Sequence, residues 1–95
     1  MQVLQHILPN IVIEDEVLWN YLDTEMVSFE LADPLLEGYY INAGDLIYYL
    51  NSFVDYIYRR YDNTRDINYY CDLVDGLVSY VQNEPGVVVF IAGVF

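Results

Sequence analysis

Apolar residues recur at three- and four-residue steps through Leu46, Ile47, Leu50, Phe53, Val54, Ile57, Tyr58 and Tyr61. This spacing draws one face of an amphipathic helix and predicts a helix over about 43–61. Asn42 stands where a side-chain oxygen caps a first turn. Asp45 brings negative charge to the positive end of the helix dipole, and Arg59 and Arg60 bring positive charge to the other end. Asp55 and Arg59 form an i,i+4 pair in the favoured order. The same period returns in Ile67, Tyr70, Cys71, Val74, Leu77, Val78 and Val81, which predicts a second helix over about 66–82, capped by Thr64 or Asp62. The connection is short, so the two helices should form an antiparallel hairpin. Gly76 interrupts the second helix at a cost of about 1 kcal/mol against alanine. Close packing on the first helix would account for it.

Elsewhere the period shortens. VVVFI (87–91) is β-branched and apolar on both sides, as suits a strand in a sheet interior or at a subunit interface. IVI (11–13) reads the same way. VSFEL (27–31) alternates, with Val27, Phe29 and Leu31 on one side, and GYYI (38–41) is its hairpin partner across Asp33-Pro34. EDEVLWNYLDTE (14–25) fits a short helix through Val17, Leu18, Tyr21 and Leu22, with Glu14 to Glu16 in its N-terminal turn; a continuous strand is the competing reading. Together these elements predict an α+β fold, a small β-sheet of about three or four strands packed against an antiparallel two-helix hairpin, in a single domain over residues 1–95.

Charge changes the picture most. Fifteen carboxylates face three arginines, with no lysine, for a formal net charge of −12. Residues 1–58 hold no arginine, and Arg59, Arg60 and Arg65 lie close together. Most carboxylates therefore lack an internal cation and must be solvated or meet a partner's cations. Direct binding to nucleic acid is disfavoured, because phosphate contacts need Lys and Arg. Anionic membranes are disfavoured for the same reason. The longest apolar run, 86–95, is about half of the roughly twenty residues that a membrane span needs. Cys71 is the only cysteine, so no internal disulfide forms, which fits a reducing, cytoplasmic setting. No secretory signal is visible at the N-terminus.

Enzyme motifs are absent. The glycines are scattered rather than gathered in a phosphate loop, and His6 is the only histidine, set among Val3, Leu4, Ile7 and Leu8 as a structural residue. Cys71 falls on the inner face of its helix, as a small buried hydrophobe. Residues 62–73 place acids at two positions of a calcium-binding loop but lack its glycine and its final glutamate. Glu14, Asp15 and Glu16 are oxygen ligands in principle, but solvated surface acids explain them better. No enzyme activity, cofactor or metal is expected.

What remains is a contact surface. Tyrosine offers large area at low entropy cost and is enriched at binding hot spots. Tyr58 and Tyr61 belong to the inner helix face and should be core. Tyr48, Tyr49 and Tyr56 fall outside it, and Tyr69 and Tyr80 do so on the second helix. Either these rings flank the core or they form a docking surface bordered by acids. The candidate partner-binding set is Glu14, Asp15, Glu16, Asp45, Tyr48, Tyr49, Asp55, Tyr56, Tyr69, Asp72 and Asp75.

DLIYY (45–49) resembles the tyrosine-containing segment of the immunity proteins that neutralise nuclease colicins. In that family the segment's tyrosines and acid contact the toxin, which points to Asp45, Tyr48 and Tyr49. The likeness covers five residues. The family is all-helical and continues with a proline, whereas this chain has Leu50 there and a strand pattern at 87–91. In composition alone the chain is similar to the anti-restriction and anti-CRISPR proteins of phages and archaeal viruses. The expected function is that of a small acidic inhibitor whose carboxylates and tyrosines occlude the cationic surface of a nucleic-acid-binding protein or nuclease, as a nucleic-acid mimic. An immunity protein or antitoxin against a basic toxin is one alternative, and a homo-oligomeric structural protein another. A homodimer suits all three, because a C-terminal apolar strand seeks a partner.

Overall fold

The computed structural model describes residues 10–25, 31–33, 38–82 and 88–93. Seven elements follow in order: β1 (Asn10–Ile13), α1 (Glu16–Glu25), β2 (Leu31–Asp33), β3 (Gly38–Asn42), α2 (Ala43–Arg60), α3 (Thr64–Val81) and β4 (Val88–Gly93). The fold is α+β, a small sheet packed against helices, as the sequence pattern predicts. Residues 14–25 resolve in favour of a helix. Of the predicted strand at 27–31, only Leu31 falls among the described residues.

The sheet order is β1-β4-β3-β2, with β1 parallel to β4 and the other two pairings antiparallel. The connections explain these directions. One helix between β1 and β2 returns the chain so that both strands run the same way. Two antiparallel helices between β3 and β4 reverse it instead. β2 pairs antiparallel with β3, as the pairing of 27–31 with 38–41 anticipates, but the described strand is Leu31–Asp33, so Asp33 lies in the strand rather than in the turn, with a register irregularity between Leu31 and Asp33. An all-helical architecture like that of the colicin immunity proteins is therefore not this chain's.

Both helices of the hairpin start on an asparagine. The Asn42 side chain accepts from the N–H of Gly44 at 2.8 Å. At α3 the cap is Asn63, which accepts from Arg65 and Asp66 N–H groups at 2.8 and 3.3 Å. Thr64, one of the two predicted caps, is instead the first helical residue, and Asp62 lies one position too early.

The core lies between the helices and one face of the sheet. From α2 it takes Leu46, Leu50, Phe53 and Ile57, from α1 Leu18 and Leu22, and from the sheet Ile41, Val89 and Ile91. Each fully buried side chain of this kind contributes roughly 1.5–3 kcal/mol. Two glycines set close approaches. A Cβ on Gly38 would stand 2.4 Å from the Phe90 ring and 2.6 Å from the Ile91 carbonyl oxygen. A Cβ on Gly93 would meet the Trp19 ring at 2.4 Å.

Four expectations change. Gly76 does not serve close packing: a Cβ there would meet nothing within 4 Å. Tyr58 is not core but 60% exposed, at the seam where α2 meets α3. Cys71 is only half-buried, its thiol 3.9 Å from the Tyr58 hydroxyl oxygen. Of the two settings predicted for β4, the sheet interior is the one it takes, with both edges paired, so the strand does not seek a second copy through an edge. On the outward face of the sheet Val88, Tyr40 and Val12 are nevertheless exposed.

Candidate partner-binding surface

The candidate residues divide among three places. The first is the corner where β1 runs into α1 and faces α3. Asp15 is the N-cap of α1, its Oδ1 accepting from the Leu18 N–H at 3.0 Å. Its Oδ2 accepts from the Tyr69 hydroxyl of α3 at 3.2 Å. Both carboxylate oxygens are thus engaged, and the same hydrogen bond holds the Tyr69 phenol above its ordinary pKa. Glu14 and Glu16 are exposed on either side. These acids and Tyr69 line a cleft of about 470 Å³ together with Val12, Ile13 and Leu18 on one side and Leu73 and Leu77 of α3 on the other.

The second place lies between α1 and the end of α2. Tyr56, predicted as a free contact ring, is half-buried here, 4.9 Å from the Tyr21 ring and stacked on Phe53 at 6.0 Å. The Arg60 guanidinium lies over it at 5.3 Å. Burial first, and then the charge of Glu25, push the Tyr21 phenol up. A cleft of about 440 Å³ opens beside Tyr21, Tyr56 and Tyr61. Tyr49 is also half-buried, edge-on to Tyr48 at 5.5 Å, whereas Tyr48 is 66% exposed.

The third is the outer side of the hairpin, where Asp55 on α2 and Asp72 and Asp75 on α3 are exposed. Asp45 is exposed in the first turn of α2. The predicted Asp55–Arg59 ion pair does not form. Among the described side chains no carboxylate is buried, and none is ion-paired to an arginine.

Of the predicted set, then, the fold gathers Glu14, Asp15, Glu16 and Tyr69, keeps Asp72 and Asp75 together on α3, and turns Tyr49 and Tyr56 partly inward. Sequence reasoning missed the cleft walls, Leu73 and Leu77, because they belong to a helix far along the chain from β1. It also missed Tyr39, whose hydroxyl donates to Asp23 at 2.5 Å. No group of three metal-ligating side chains gathers among the described residues. Among them, too, no helix is long and apolar enough to cross a membrane. Comparison with protein-family models, curated proteins and solved structures finds no match.

Proposed function

We propose that the protein is a small acidic inhibitor that binds a cationic surface on a nucleic-acid-handling protein and occludes it. One observation carries this reading: the chain has fifteen carboxylates against three arginines, and among the described side chains none of the carboxylates is buried or ion-paired to an arginine. A surface held at −12 without internal neutralisation costs self-repulsion, and a partner's lysines and arginines would relieve it. Exposed rings at Tyr48, Tyr58, Tyr69 and Tyr80 supply contact area among the acids. Such an inhibitor works by binding, without turnover. Its setting is the cytoplasm, where its targets lie and Cys71 stays reduced. The test is capture of a basic partner at low salt, followed by competition. The added protein should release nucleic acid from that partner, and its affinity should fall steeply as salt rises. Affinity indifferent to salt, or a partner that keeps its nucleic acid, overturns the reading.

A second reading, self-association, has its own supporting observation. The sheet face turned from the helices carries Val12, Tyr40 and Val88 exposed and Phe90 half-buried, all of them uncharged. Two copies of an acidic chain repel least through a patch of this kind. Sedimentation distinguishes the readings, since salt should strengthen a dimer of this kind and weaken the inhibitor's complex.

A further inference from the structure

We propose that the cleft beside β1 takes an extended, basic segment of the partner protein, which adds as a strand to the free edge of β1 and seats an apolar side chain between α1 and α3. This rests on the reading above only in that the partner is cationic. It adds where the contact lies and what shape the partner's segment has.

Three features meet at this corner. Among the described residues β1 pairs only with β4, and no described strand lies on its other edge, the arrangement that strand addition uses. Val12 and Ile13 on that strand also line the cleft, so an added strand would run along its mouth. Leu73 and Leu77, both half-buried, give the cleft its accessible apolar wall, while Glu14 and Glu16 are exposed beside them and no arginine lines the space. A volume of about 470 Å³ lies within the range of ligand clefts, roughly 300–1,000 Å³.

The alternation of a strand matches this layout. Successive side chains point to opposite sides, so an apolar residue enters the cleft while its neighbours, if cationic, reach Glu14 and Glu16. The Tyr69 ring, 54% exposed with its hydroxyl already bonded to Asp15, offers its face to a guanidinium. An inserted helix would leave the edge of β1 unpaired, and an anionic ligand would be repelled by Glu14 and Glu16.

Gly76 completes the case. It follows Leu73 by three residues on α3, is exposed, and has open space where a Cβ would stand. A glycine there weakens the helix and serves no packing within the chain. It leaves the helix backbone bare next to the cleft wall, where a partner's backbone approaches.

The experiment titrates the intact protein with a short peptide alternating arginine and valine, beside a helical arginine–alanine peptide and a glutamate–valine peptide, and follows backbone amides and leucine methyls by NMR. The arginine–valine peptide should slow amide exchange along β1 and shift the methyls of Leu73 and Leu77. The glutamate–valine peptide should do neither. Joint Glu14→Gln and Glu16→Gln substitution should weaken binding about fivefold or more. Gly76→Ala should weaken binding while raising the thermal midpoint, a divergence that a structural role alone does not produce. If shifts fall instead around Asp55, Asp72 and Asp75, with β1 and the leucines unmoved, this proposal fails and the acidic-inhibitor reading stands. Equal binding by the helical peptide, or a Gly76→Ala variant that is more stable and binds unchanged, also overturns it.

Discussion

Tyr69 on α3 and Asp15 at the start of α1 are joined by a hydrogen bond of 3.2 Å that spans 54 positions of the chain. The same carboxylate caps α1 through the Leu18 N–H. One residue thus fastens a helix end and ties the hairpin to the β1 corner.

Asp15→Ala should cost about 1–2 kcal/mol, the usual loss of an N-cap together with a tyrosine bond. Asp15→Asn keeps an acceptor for the cap and should cost only a few tenths of a kcal/mol. Tyr69→Phe, at an exposed site, should cost about 0.5 kcal/mol. Urea denaturation with an unchanged slope measures all three, and an Asn variant as unstable as the Ala variant would show that charge, not the cap, does the work.

The glycines should respond in opposite directions. Gly76→Ala should stabilise by about 1 kcal/mol, because the added methyl meets nothing and the helix gains propensity. Gly38→Ala should destabilise by about 1–3 kcal/mol, since its Cβ would press on a backbone carbonyl at 2.6 Å that has no rotamer to escape into. Thermal midpoints of the two variants, taken under one condition, check the contrast.

Alkali should unfold the protein through its inner tyrosines. The hydrogen bond to Asp23, then burial, push the Tyr39 phenol up to about 12. Burial, then the charge of Asp15, push Tyr70 up to about 12. Both pKa values are raised in the fold, so the associated stability is complete below the unfolded value of about 10 and is lost as pH rises through about 12. Tyr39→Phe is less stable than the parent at neutral pH, and that gap should close across this window. Denaturation at a series of alkaline pH values gives the answer, and a gap that stays constant would deny Tyr39 its role.

Added salt should raise the thermal midpoint. Going from about 0.01 to about 0.15 M shortens the screening length from about 30 to about 8 Å and relieves repulsion among the unpaired acids. Calorimetry along a salt series tests this. A falling midpoint would mean that attractive pairs, rather than repulsion, dominate the surface.

Much of the fold was legible because its strongest signals are local. The 3.6-residue period alone placed α2 and α3, and the β-branched run alone placed β4. What escaped was decided by neighbours remote in sequence. Tyr58 sits at the margin of the apolar stripe of α2, and α3 closes against that side without covering it. Asp62, Asn63 and Thr64 are all capping residue types, and only the point where helical geometry begins selects Asn63. The apolar character of β4 gave no sign of which face the helices would cover. The corner site was half visible, as three adjacent acids. Its apolar walls were not, since Leu77 read as an ordinary member of a helix core stripe and Leu73 fell outside that stripe altogether.

The pairing of Asn10 with Phe90 has a bearing on how the molecule assembles. β4, one of the two interior strands of the sheet, is the last of the seven described elements in chain order, so β1 waits for a neighbour that does not yet exist. The helical hairpin, built from nearby contacts, is able to form early. Closing the sheet requires bringing together parts of the chain some eighty positions apart, the kind of step that slows folding. Until that happens, the net charge of −12 sets newborn chains to repel one another.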